Sequence, residues 1–145
     1  MTKNEILDSV YMNIAGEVSR LSKCTRKKVG AVIVKDNNIL SFGYNGTPVG
    51  SCNDCEENNV TKWYVLHAES NAILKVAKST MSSEGSTLYC TLSPCDECCK
   101  LIIQSGIVRV VYKNVYEKST KGLNLMNEHG IEVLSLYKNT LRKHA

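Results

Sequence analysis

Apolar positions recur at three- and four-residue steps across residues 3–22, at Ile6, Leu7, Val10, Tyr11, Ile14, Val18 and Leu21. That spacing predicts an amphipathic helix. The pattern then shortens. "VGAVIV" (29–34) and "ILSFGY" (39–44) are apolar runs separated by polar "KDNN". They predict two antiparallel strands joined by a tight turn. Gly, Pro and Asn cluster through "NGTPVGSCNDCEENN" (45–59), which predicts a loop. Helical spacing resumes near His67 and runs to about Ser79, with Ala68, Ala72, Ile73, Val76 and Ala77 on the apolar side.

The second half repeats a strand-then-helix rhythm. "STLYCTL" (86–92) alternates as a strand, and "SP" ends it, with Pro94 suited to a turn or a first helical position. "CDECCKLIIQSG" (95–106) predicts a short helix closed by Gly106. "IVRVVY" (107–112) predicts a strand, 119–130 a helix ended by Gly130, and "IEVLSL" (131–136) a last strand. The order α-β-β-α-β-α-β-α-β predicts one layered α/β domain spanning residues 1–145. Strands connected through helices should run parallel with right-handed crossovers. The expected architecture is a three-layer α/β/α sandwich with a five-stranded mixed sheet and helices on both faces.

Composition narrows the class without deciding it. A chain of 145 residues, 43% hydrophobic and 22% charged, can bury a self-sufficient core. No apolar run approaches the ~20 residues of a membrane span. "MTKNEILDSV" carries charge throughout and lacks a signal-peptide core, so a cytoplasmic location is the expectation. The net charge of +4 mildly favours an anionic partner, although the basic residues are dispersed apart from "KCTRKK" (23–28).

Cysteine changes the picture more. Seven occur, at 24, 52, 55, 90, 95, 98 and 99. An odd count argues against a disulfide framework, and Cys52/Cys55 and Cys95/Cys98 form two CxxC pairs. Cys95 and Cys98 lie three positions apart at a helix start, so both thiols share one face and sit where thiolates are favoured. Two thiolates and an imidazole, here from His67, suit a zinc ion that keeps a position for water. Such chemistry also needs a proton shuttle that is not a ligand, and Glu69 stands two residues after His67.

His67, Glu69, Pro94, Cys95 and Cys98 together read H-x-E…P-C-x-x-C, the known signature of the zinc nucleobase deaminases. The chain resembles the cytidine/deoxycytidylate deaminase superfamily, and within it the deoxycytidylate (dCMP) deaminases. The resemblance runs over residues 10–136 and is carried by "CTRKKVGAVIV", "GYNGTP", "HAESNAI", "TLSPCDECCKLIIQSGI" and "VVYKNVYE". It implies the cytidine-deaminase-like fold and hydrolytic deamination of dCMP to dUMP and ammonia, feeding thymidylate synthesis. His67, Cys95 and Cys98 would hold zinc. Glu69 would take the water proton, protonate ring N3 and help the amino group leave from C4.

The same resemblance assigns substrate contacts. Asn45 would bond the deoxyribose, although a turn asparagine in "YNGT" is its plain structural reading. Arg26 would contact the 5′-phosphate, with Lys27 and Lys28 raising the local potential. Tyr116 would lie near the bound nucleotide or simply pack at the rim. Ala68 and Pro94 would shape the pocket floor. Cys24, Cys52 and Cys55 match a region where relatives hold a second, structural zinc, with free thiols as the alternative. Cys90 lies in a buried-strand pattern and is expected in the core, while Cys99 is turned off the face of the ligand pair and is expected to have no catalytic role. Many dCMP deaminases are homohexamers activated by dCTP with Mg2+ and inhibited by dTTP, so the resemblance extends those expectations here. No membrane or nucleic-acid partner is expected.

Two readings compete with this one. A deaminase of free cytidine, cytosine, guanine or a tRNA adenosine would not need "GYNGTP" or Arg26. A zinc ribbon built from Cys52, Cys55, Cys95 and Cys98 would leave His67 and Glu69 unexplained and lacks interleaved basic and aromatic residues.

Overall fold

Alternation along one strand decides the layering. In β1 (Gly30–Lys35), Ala31 and Ile33 point to one side of the sheet while Val32 and Val34 point to the other, and all four are buried. A strand buried on both faces needs helices on both faces. The computed structural model describes residues 1–117 and 121–136 and supplies them. Helix α1 (Lys3–Ser19) covers the first face through Tyr11, Met12, Ala15 and Val18, packed on Val32, Val34, Tyr89 and Val111. On the opposite face lie α2 (Ala68–Ala77), α3 (Asp96–Gln104) and α4 (Lys121–Glu128). There Ala72, Val76, Ile102 and Met126 meet Ile33, Leu88, Cys90 and Val110.

The remaining main strands are β2 (Asn38–Tyr44), β5 (Thr87–Leu92), β6 (Arg109–Asn114) and β7 (Glu132–Ser135). Sheet order is β2-β1-β5-β6-β7. β1 runs antiparallel to both β2 and β5, whereas β5, β6 and β7 are mutually parallel. The sheet is therefore mixed and five-stranded, and the expected α/β sandwich is the fold. Antiparallel pairing of Ala31 with Cys90 sets the start of β1 beside the end of β5. The Gly30 N–H also donates to Thr91 Oγ1 at 3.2 Å across that junction.

Where sequence pattern and structure part, the causes are local. α1 stops at Ser19 rather than near residue 22, which leaves Leu21 exposed beyond its end, and Ile6 and Val10 are exposed because only one strip of the helix meets the sheet. The segment expected to be pure loop contains a small hairpin, β3 (Glu56–Glu57) and β4 (Val60–Thr61). Asn58 and Asn59 turn it with positive φ at both positions (53° and 64°), as Asp36 and Asn37 do between β1 and β2. Paired positive φ is the signature of two-residue hairpin turns. The expected helix start at 119–120 and the residue 136–137 boundary touch positions outside the described residues, as does His144. Among the described residues no helix is long and apolar enough to cross a membrane.

One glycine positions the site. The Gly43 Cα faces the backbone of Ala68 and Ala72, and any Cβ there would collide with it. β2 and α2 thus touch backbone to backbone, which brings the first turn of α2 down onto the sheet end.

Candidate active site

Two helix starts converge at the end of β5. His67 is the N-cap residue of α2, yet its side chain makes no capping bond and is free for another use. Cys95 is the N-cap of α3, and its sulfur accepts from the Cys98 N–H at 3.5 Å. His67 Nδ1 lies 3.3 Å from Cys95 Sγ and 3.3 Å from Cys98 Sγ. One nitrogen and two sulfurs thus face a common point. Positive dipole ends of both helices favour thiolates there. A hydrogen bond shared with Cys98 pulls the Cys95 thiol down to about 4, while the same contact and burial push Cys98 up. His67 is raised, chiefly by its bond to Cys95. Soft thiolates with an imidazole suit zinc better than the hard cations, which seek oxygen.

Glu69 stands in the first turn of α2, only 4% exposed. Burial pushes its carboxyl up to about 7, against the opposing pull of Cys98 and His67. A carboxyl near neutrality can both accept and return a proton. Ser70 Oγ lies 3.7 Å from Cys98 Sγ on the far side of the sulfur pair. Asn71 Nδ2 donates to the Tyr44 carbonyl at 2.8 Å, fixing α2 to the end of β2.

A cavity of about 380 Å³ opens over this point. Arg26, Asn45, His67, Ala68, Glu69, Cys95 and Tyr116 all line it, and Cys98 is buried behind. Residues predicted from five separate stretches thus share one chamber, with Pro94 buried beneath them. Asn45 does more than line the wall. Its Oδ1 accepts from the Val29 N–H at 2.9 Å and its Nδ2 donates to the Lys27 carbonyl at 2.8 Å, so it clamps the strand-entry loop. Lys28 turns away and donates to the Ser22 carbonyl at 2.7 Å. Lys27 lies over the Tyr116 ring at 4.6 Å, and the Tyr116 N–H donates to buried Ser93 at 2.6 Å.

The second cysteine group is corrected. Cys24 and Cys55 are joined as a disulfide, so the absence of disulfides expected from the odd cysteine count does not hold. Cys52 is exposed and contacts Asp54 at 3.5 Å instead of joining them. Of the Cys24/Cys52/Cys55 set, Cys24 and Cys55 stand together with Glu56 as a second group of potential metal ligands, and Cys52 lies apart. The four-cysteine ribbon is not assembled, since its two CxxC pairs have different partners. Cys90 is buried in the core, as expected, and Cys99 is buried there too. Glu56 and Thr61, which also line the cavity, were missed by sequence reasoning. The signal that could have found them is the "NN" turn of "EENNVT".

Three donors of this kind beside a near-neutral buried carboxyl define a metal-assisted hydrolase on an α/β sandwich. The family model for the cytidine and deoxycytidylate deaminase zinc-binding region matches residues 6–114, and the chain belongs to that family. It is 35% identical to the deoxycytidylate deaminase of Enterobacteria phage T4, over 93% of this chain and 92% of that one. It is 41% identical to the human deoxycytidylate deaminase, over 70% of this chain and 61% of that one. Among solved structures, the dCMP deaminase of cyanophage S-TIM5 in complex with dCMP and dUMP superposes with a TM-score of 0.85 at 44% identity, covering 92% of this chain and 97% of that one. A deaminase/reductase from Thermotoga maritima superposes at 0.74 with 29% identity, but only 39% of its length is covered.

Proposed function

We propose that this chain hydrolyses dCMP to dUMP and ammonia as a single deaminase domain, supplying dUMP for thymidylate synthesis. The observation that carries the reading is one cavity with the nitrogen–sulfur donor set and Glu69 at its floor and Arg26 at its wall. A cytosine ring reaching the floor would leave its 5′-phosphate toward the guanidinium. The cyanophage relative is a dCMP deaminase in complex with dCMP and dUMP, which supports the same substrate and product here.

His67 Nδ1 and the sulfurs of Cys95 and Cys98 would hold the zinc ion. Zinc bound there supplies the Lewis acidity that makes water nucleophilic near neutral pH. Glu69 takes the proton released by that water. It delivers that proton to N3 of the ring, which makes C4 electrophilic, and then moves the remaining proton of the added water from the C4 hydroxyl to the departing amino group, so that the C4 carbonyl forms and ammonia leaves neutral. A carboxyl with burial-raised pKa suits both directions of transfer. Ala68, with no side chain beyond Cβ, leaves room for the flat ring between α2 and Tyr116. Asn45 holds the loop on which Arg26 stands and presents its remaining amide hydrogen toward the sugar. Arg26 supplies a planar fork of donors to the phosphate.

Ammonia release from dCMP and deoxycytidine tests this reading. Wild type should prefer dCMP strongly, and Arg26→Ala should lose most of that preference through KM. Equal turnover of both substrates by wild type would sink the nucleotide assignment. Adding dCTP with Mg2+, or dTTP, to the same assay tests the proposed effector control, and sedimentation tests the proposed homohexamer.

A further inference from the structure

Arg26 stands on an exposed loop and is in no ion pair among the described residues, yet it lines the cavity. Something must hold it in place. The structure gives that task to the β3–β4 hairpin. Glu56 Oε1 accepts from the Thr25 hydroxyl at 2.9 Å and from the Thr25 N–H at 3.2 Å. Its Oε2 accepts from the Thr25 N–H at 3.1 Å and the Arg26 N–H at 3.2 Å. One residue earlier on each segment, Cys24 and Cys55 are bonded covalently. At the other end of the side chain, Arg26 Nη1 donates to Thr61 Oγ1 at 3.3 Å.

The hairpin has little else to do. Glu57, Val60 and Thr61 are exposed, so it buries no core of its own. A carboxylate beside an anion site weakens attraction for the anion, which makes its presence here a cost unless it organises something. Its hydrogen bonds go to backbone donors and a hydroxyl and not to the guanidinium, which feels its charge only through space.

We infer that Glu56 is a positioning residue for the phosphate end of the substrate, fixing the Thr25–Arg26 backbone so that the Arg26 guanidinium meets the 5′-phosphate. This rests on the dCMP reading above. It sets preference for nucleotide over nucleoside without touching the reacting ring.

The test is steady-state kinetics on dCMP and deoxycytidine for wild type, Glu56→Gln, Thr25→Val, Thr25→Ser and Arg26→Ala, with zinc per chain measured on each. Glu56→Gln places an amide donor against backbone donors. It should raise KM for dCMP about tenfold, the size expected when bonds to a charged group are lost. Its kcat should stay within about twofold, and deoxycytidine turnover should not change, because only ground-state binding of the phosphate is affected. Thr25→Val should move KM the same way by less, and Thr25→Ser should behave as wild type.

Several results overturn the inference. An unchanged KM in Glu56→Gln would remove the residue from this role. A lowered KM would mean that the carboxylate blocks the anion's place. Equal losses on both substrates would mean a general structural role, and a loss of bound metal would make Glu56 a ligand with its neighbouring cysteines. If Arg26→Ala itself leaves the preference for dCMP intact, the functional reading falls first. If Arg26→Ala abolishes the preference and Glu56→Gln does not, only the Glu56 assignment falls.

Discussion

Replacing Glu69 by Gln separates chemistry from architecture at one position. Gln keeps the shape of the side chain but cannot take or return a proton. Positioned proton transfer contributes about 10²–10⁴-fold to rate, so kcat on dCMP should fall by at least about 100-fold. Zinc content should stay at the wild-type level, because the donor set is His67, Cys95 and Cys98. Stability should move the other way. The Glu69 carboxyl is raised from 4.5 to about 7, chiefly by burial, and that displacement corresponds to about 3 kcal/mol of penalty on its ionised form. A carboxyl with a raised folded pKa costs nothing below its unfolded value. Its cost grows as pH rises from about 4.5 to 7 and is complete above that. Metal-free wild type should therefore lose stability over that window relative to metal-free Glu69→Gln. Urea unfolding at pH 5 and pH 8 measures the gap, with zinc analysis and ammonia release alongside. Retention of more than a tenth of wild-type kcat would refute the proton-shuttle role. A gap that does not widen between the two pH values would refute the burial argument.

Other expectations concern the frame around the site. Asp8 on α1 accepts from Arg109 at 2.8 and 2.7 Å and from the Tyr89 hydroxyl at 2.6 Å, on the sheet face away from the cavity. Asp8→Asn should cost about 2–4 kcal/mol in urea unfolding, because it removes the two-bond partner of a partly buried guanidinium and leaves it only the 3.3 Å contact with exposed Glu132, while kcat stays unchanged. Burial works against the Asp8 carboxylate, but the bonds from Arg109 and Tyr89 and the charge of Arg109 outweigh it and lower its pKa. Its stabilisation is therefore full above about pH 4 and is lost as pH falls through the lowered folded value, so acid unfolding should begin at higher pH in Asp8→Asn. Gly43→Ala should cost about 1–3 kcal/mol by overpacking against α2, and should weaken zinc retention under chelator because that helix carries His67.

The nitrogen–sulfur cluster and the buried carboxyl beside it were legible because local spacing and helix starts suffice to place them. His67, Glu69, Cys95 and Cys98 each sit within one turn of a helix N-terminus, marked in the sequence by the onset of helical spacing for α2 and by Pro94 for α3. The sheet was legible too, since its strands are short apolar runs divided by turn residues. What stayed hidden depends on contacts between segments about thirty residues apart. The Cys24–Cys55 bond joins residues 31 positions apart, and no spacing rule pairs them. Glu56 bonds Thr25 across a similar separation, and a carboxylate in a polar stretch looks like an ordinary solvated charge. Surface placement of Ile6 and Val10 was hidden for the opposite reason, because helical period shows that a stripe exists but not how wide a strip the sheet will cover.

The antiparallel pairing of β1 with β5 has a further meaning. Arg26 hangs from the entry to β1, and Cys95 and Cys98 follow the exit of β5, with Ala31 opposite Cys90 between them. The separation of Arg26 from the nitrogen–sulfur cluster therefore follows from strand register. A register slip that keeps the same faces buried must move by two residues, or about 7 Å at ~3.3 Å per residue. That is longer than a phosphate group. Under the proposed dCMP reading, the β1–β5 ladder sets the spacing between Arg26 and the nitrogen–sulfur cluster, so acceptance of a nucleotide over a nucleoside would depend on hydrogen-bond register as well as on single side chains.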